Sequence, residues 1–125
     1  MDLSLDNAEG YLLVRRTAAR SITLIDRELS ASFLLMPDRV VENWPVDSAS
    51  ALNAGHVGDF LALQPELVIL GTGERQVFPA AEFMAGLLRK GVGIEVMDNA
   101  AAARTYNLLA GEGRRVVAGF ILPAA

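Results

Sequence analysis

Leu67-Val68-Ile69-Leu70 is a run of four large apolar residues, with Pro65 just before it and Gly71-Thr72-Gly73 just after it. A strand with one wet face alternates apolar and polar residues. A strand covered on both faces reads as a continuous apolar run, the pattern of parallel sheets. A chain carrying such a strand must supply cover for two faces, and the residues that follow have the right pattern. Pro79 is read as opening a helix, where a missing N–H matters least. Phe83 with Leu87, and Met84 with Leu88, supply its buried stripe, and Arg89, Lys90 and Gly91 close it. Ile94 to Met97 is the next strand. Asp98 is expected to cap a second helix. In that helix Ala101, Thr105, Leu108 and Leu109 are predicted to face inward, with Arg104 and Asn107 nearer solvent. Gly111 and Gly113 end it, and Val116 to Leu122 is the last strand.

The first half reads differently. Tyr11 to Thr17 is a short apolar run ending in charge. Ile22 and Leu24 alternate with polar residues, while Leu29, Ala31, Phe33 and Leu35 alternate first with Ser30 and Ser32 and then with the apolar Leu34 and Met36. Period two marks strands, so a hairpin is expected around Asp26-Arg27. Its second strand should run from an exposed rim into the core and end at Pro37-Asp38. Val40-Val41 starts a further short strand that closes at Trp44-Pro45. Val57, Phe60 and Leu61 share one face of a short helix stopped by Pro65. The predicted class is α/β: a mixed central sheet with flanking helices, an N-terminal antiparallel hairpin layer, then β-α-β-α-β. Residues 1–125 are read as one domain.

Composition removes several chemistries. The chain has no cysteine and a single histidine, His56, so thiolate catalysis, disulfides, and Cys-based or multi-His metal sites are excluded. No phosphate-loop or dinucleotide fingerprint is present, so no cofactor and no metal are expected. A net charge of -4 argues against a nucleic-acid groove, which needs a basic field. No apolar run approaches the roughly 18 residues of a membrane span. Met1 to Gly10 lacks the basic start and apolar middle of a signal peptide, which leads to an expectation of a cytoplasmic protein.

Four stretches occur in an order that resembles a known family. They are Ser32-Phe33-Leu34-Leu35-Met36-Pro37 followed by Trp44; Pro65 through Gly73; Gly93-Ile94-Glu95-Val96-Met97-Asp98; and Ala102 through Leu109 with Glu112-Gly113-Arg114-Arg115-Val116. Together they resemble the Mth938-domain family over about Arg20 to Leu122. That family includes a mitochondrial respiratory complex I assembly factor and an adipogenesis-associated protein. The resemblance implies a compact α/β fold with a mixed sheet and flanking helices. It implies no particular chemistry, because the family's molecular activity is not established and one fold hosts many functions.

Candidate site residues cluster at two strand exits. Gly71-Thr72-Gly73 would offer backbone N–H groups and a hydroxyl to an anion, or serve as a tight strand exit. Asp98, Asn99 and Arg104 follow the next exit. If the strands are parallel neighbours, these groups line the crevice where open α/β sheets bind ligands; otherwise Asp98 caps a helix and Arg104 is solvated. Tyr106 would bury its ring and bond its hydroxyl. Glu95 is expected to pair with Arg114 or Arg115. Trp44 is read as a packing residue and His56 as incidental. No catalytic residue is assigned. Two functions follow. The first is a non-catalytic protein-binding or assembly-assisting domain, with a protein partner or self-association. The second is an anionic small-molecule or enzymatic site formed by Gly71, Thr72, Gly73, Asp98, Asn99 and Arg104.

Overall fold

The apolar run at 67–70 lies inside a five-stranded sheet, with Val68, Ile69 and Leu70 fully buried. A computed structural model describes residues 11–124. They form β1 (Val14–Thr17), β2 (Ile22–Leu24), β3 (Glu28–Leu29), β4 (Phe33–Met36), β5 (Arg39–Val41), α1 (Val57–Leu61), β6 (Leu67–Gly71), α2 (Ala81–Leu88), β7 (Gly93–Met97), α3 (Asn99–Gly111) and β8 (Val116–Phe120). Two 3-10 turns, Ala49–Ala51 and Ala54–His56, precede α1. The large sheet has the order β5-β4-β8-β6-β7. β6 is parallel to both β7 and β8, whereas β4 is antiparallel to β8 and β5. The strands β1-β2-β3 form a separate antiparallel sheet. The mixed α/β class with an N-terminal antiparallel layer is therefore the observed one.

Alternation sorts the central strands into two packed layers. Val68, Leu70, Leu34, Met36 and Val117 face α1, α2 and Trp44. Ile69, Phe33, Leu35, Ala118 and Phe120 face α3 and the small sheet. Trp44 meets Phe60 edge-on at 5.4 Å and donates its indole N–H to Asp59 (3.0 Å), so it is a core residue with its polar atom satisfied.

The alternation from Leu29 to Leu35 predicts one strand, but the chain forms two in different sheets. The break falls at Ser32, which is buried. Its Oγ accepts the N–H of Leu122 (2.8 Å) and donates to that residue's carbonyl (3.3 Å). A side chain that bonds a distant backbone replaces the local ladder at this crossing. Three helix details also differ. Pro79 lies before the cap residue Ala80, and α2 begins at Ala81. Leu88 is 58% exposed, not part of the stripe. On α3 the inner residues are Asn99, Ala102, Ala103, Tyr106 and Ala110, and Leu108 is 64% exposed. A run of four alanines gives no hydrophobic phase, and the residues that set the phase are polar ones with buried partners.

Candidate functional site

Parallel pairing places Gly71 beside Met97, so the exits of β6 and β7 open side by side at one end of the sheet. The chain after β6 crosses to α2 on one face, and the chain after β7 crosses to α3 on the other. A crevice is expected where such connections diverge. Here Asn99 occupies it. Its backbone N–H donates to Gly73 O (2.8 Å) and its Oδ1 accepts the Gly73 N–H (3.1 Å). Its Nδ2 donates to the carbonyl of Ile121 (3.0 Å), just beyond β8. One buried amide thus ties together the ends of three strands. The last of them is also tied directly, through the Ile121 N–H to Gly71 O at 2.9 Å.

Gly71 and Gly73 are needed for different reasons. A Cβ at Gly71 would strike Asn99 Oδ1 and crowd Ala102 and Phe120. Gly73 has free space around it but takes φ 105°, a conformation side chains disfavour. Thr72 is committed as well. Its Oγ1 donates to Arg75 O (2.5 Å) and accepts the Val77 N–H (3.0 Å), while its own N–H donates to Met97 O (3.0 Å). Asp98 caps α3, its Oδ1 accepting the Ala101 N–H at 2.8 Å.

Two open clefts flank this tie. One, of about 400 Å³, is lined by Thr72, Gly73, Arg75, Ser48, Ser50 and Ile121 among others. The other, of about 240 Å³, is lined by Thr17, Ala19, Gly73, Glu74, Asp98 and Asn99 among others. Five of the six sequence-predicted residues therefore lie together at the exits, with Gly71 beneath the clefts. Arg104 does not join them. It is exposed further along α3 and lines neither cleft.

The remaining candidates have ordinary partners. Glu95 is exposed on the edge strand β7 and, among the described residues, forms no ion pair. Its expected partners are engaged elsewhere, where β6 and β8 begin. Arg114 lies 3.6 Å from Glu66, and Arg115 donates to the carbonyls of Leu63 and Gln64. His56 Nδ1 accepts the Asn53 N–H (3.1 Å) in a capping box. Tyr106 is fully buried and donates to Leu12 O at 2.7 Å. Asn107, predicted to face solvent, bonds both backbone groups of Val14, at 2.9 and 2.8 Å. Patterning cannot find these last contacts, because partners 93 and 94 residues away leave no local signal.

Burial, and secondarily the Asp38 carboxylate, hold the Tyr106 phenol well above its ordinary range. The unfolded chain therefore releases this proton first as pH rises. The stability tied to the neutral phenol is complete below about pH 10 and is lost above it, by up to about 1.4 kcal/mol per pH unit. Tyr106→Phe should cost about 1 kcal/mol at neutral pH. Urea titrations should show this gap closing above about pH 10. A gap that stays constant would mean that the hydroxyl is not buried as described.

The fold that carries these tied strand exits is that of a class of small α/β domain. A family model described as "Protein of unknown function (DUF498/DUF598)" matches residues 14–121, and the chain belongs to that family. The NMR structure of a Xanthomonas campestris protein is 45% identical, with a TM-score of 0.83, covering 98% of this chain and 92% of that one. A Mth938-like domain from Bordetella pertussis is 30% identical, with a TM-score of 0.80, covering 97% and 92%. The Mth938 resemblance is therefore correct. Among curated relatives, the "13 kDa major membrane protein" of Francisella tularensis is 34% identical over 71 residues, 57% of this chain and 58% of that protein. The human "NADH dehydrogenase (ubiquinone) 1 alpha subcomplex assembly factor 3" is 30% identical over 123 residues, 89% of this chain and 66% of that protein. The chain thus spans less than two thirds of the length of these relatives. The family has no established molecular activity.

Proposed function

We propose that this chain is a protein-binding, assembly-assisting domain rather than an enzyme, and that residues 1–125 work as one unit. The observation that carries the reading is Phe78, 63% exposed beside Val77 at 43%, on the loop between β6 and α2. The loop is held down by the Thr72 hydroxyl at Arg75 and Val77, and by Gln76 Nε2 donating to Val96 O at 2.9 Å. A large aromatic presented by an ordered loop loses little entropy on docking and suits an interface anchor. The commitment of Thr72 and Asn99 to backbone partners also favours binding over catalysis. The relative named as an assembly factor supports the same direction.

In a gently prepared native lysate the intact chain should elute with another protein, above the size of the free chain. Phe78→Ser should elute as the free chain, with stability changed by less than about 0.5 kcal/mol. An intact chain that already elutes alone would contradict the reading. We place the protein in the cytoplasm. Among the described residues no helix is long and apolar enough to cross a membrane. Recovery in the membrane fraction would oppose that placement.

The clefts at the exits favour a second reading, a small-molecule site. Its ligand would meet Ser48, Ser50 and Arg75, with Asp47 and Glu74 in the same wall. These carboxylates disfavour the anion expected from the glycine turn. A metabolite screen by thermal shift tests this reading, since a ligand of the native state raises its stability.

A further inference from the structure

We propose that the seam between β1 and α3 is a docking surface for a carboxylate-rich segment of a protein partner. The proposal takes the kind of partner from the protein-binding reading, but the surface is separate from the Phe78 loop. β1 and α3 run side by side in opposite directions. At one end Asn107 grips Val14 through both backbone groups. At the other, Thr17, Ala18 and Ala19 share a cleft with Glu74, Asp98, Asn99 and Ala100, so two carboxylates close that end and an anionic segment is confined to the stretch before it. Between these two fixed points lie Arg15 and Arg16 on the strand and Arg104 on the helix, all three exposed.

The strand is built irregularly at this point. Val14 pairs with Leu24 and Arg16 with Thr23, so Arg15 is an inserted residue in a bulge. In a regular strand consecutive side chains point to opposite faces, and one arginine would turn toward the core. The bulge leaves both exposed, and bulges are a common means of re-aiming side chains. Three like charges along one seam repel one another in the free protein. Among the described residues none of the three forms a salt bridge, whereas Arg27 and Arg114 do. This occurs in a chain with 15 acidic and 11 basic side chains. The overall field is negative, so the cationic seam acts locally, within a screening length of about 8 Å.

A partner group that relieves this repulsion must be anionic. The guanidinium fork matches a carboxylate with two parallel hydrogen bonds, which a lysine cannot provide. Leu108, one turn beyond Arg104 and 64% exposed, adds an apolar contact at the same seam. A peptide with acidic and apolar residues satisfies both features. An anionic membrane fits less well, because surface recruitment takes clusters of about four to eight cations, and the seam has three.

The test uses the full chain and a fluorescein-labelled peptide of glutamate and leucine residues, with a glutamine-for-glutamate version as control. Anisotropy should report binding of the acidic peptide only. Binding should weaken about tenfold or more between about 50 and 200 mM salt, as the pairing is screened. Arg104→Glu and Arg15→Glu should each weaken it at least about tenfold, the loss expected for charge reversal at a paired site. Arg89→Glu, at the end of α2, should leave it unchanged, and so should Phe78→Ser. That last variant separates failure of this proposal from failure of the reading above. Equal binding of both peptides, indifference to Arg104→Glu, or an equal loss in Arg89→Glu would each overturn the proposal. So would capture of phosphatidylserine vesicles through these arginines by a chain that ignores the peptide.

Discussion

Asn99→Leu is expected to lower the unfolding free energy by about 3–5 kcal/mol. The substitution leaves the Gly73 N–H and the Ile121 carbonyl without the partners they have at 3.1 and 3.0 Å. Asn99 is only 4% exposed, so water does not readily replace it. A buried backbone group stripped of its partner costs about 1–3 kcal/mol, and two are stripped together. Since total stability is about 5–15 kcal/mol, the variant should be marginal or unfolded at 37 °C. Asn99→Asp supplies a sharper control. Its carboxylate still accepts from Gly73 but faces the Ile121 carbonyl with no proton to donate. That raises its pKa, and protonation restores the donor. Its deficit against the parent should therefore shrink as pH falls, measured by urea unfolding from neutral to acid pH. A deficit that does not change with acidification would mean that the Ile121 bond contributes nothing.

Gly71→Ala is expected to cost about 3 kcal/mol, the upper part of the range for overpacking a well-filled core. The added methyl meets Asn99 Oδ1 as well as Ala102 at 3.1 Å and Phe120 at 3.2 Å. The amide cannot retreat without releasing Gly73 and Ile121. The two substitutions are therefore coupled. In a Gly71→Ala, Asn99→Ala double variant, the second change removes the atom that the first collides with. The combined loss should fall short of the sum of the single losses by about 1 kcal/mol or more, the size of coupling seen between residues in contact. Simple additivity, from chemical unfolding of the four proteins, would show that the methyl finds room elsewhere.

These two positions mark what the sequence made legible. The uninterrupted Leu67–Leu70 run announced a strand with cover on both faces. The spacing of the later strands and helices announced parallel neighbours whose exits share one end. The cap at Asp98 was equally readable, because its partner lies three residues away. From sequence, Asn99 reads as one of the residues lining a ligand crevice. What it does, joining the ends of β6 and β8, depends on partners 26 and 22 residues distant. The burial of Tyr106 is legible, but its partner Leu12 and the inward turn of Asn107 are not, for the same reason, and with them goes the phase of α3. An exposed leucine at 108 and a buried amide at 99 both violate the rule that apolar residues choose the inner face. Phe78 breaks the pattern in the opposite sense, as an apolar residue left exposed. Val77-Phe78 is an apolar pair outside any strand or helix, flanked by Pro79, and that position is the only local hint of its exposure. Ser32 hid the switch between sheets, since nothing in an alternating stretch tells where one strand becomes two.

Protein binding through the pinned loop is tested most directly by placing a photoreactive phenylalanine analogue at position 78 of the full chain in its native cells. Irradiation should give a discrete adduct with a second protein, and the same analogue at exposed Glu82 should give little. Labelling that is diffuse, or equal at both positions, would contradict a role for this aromatic as the contact on which assembly depends.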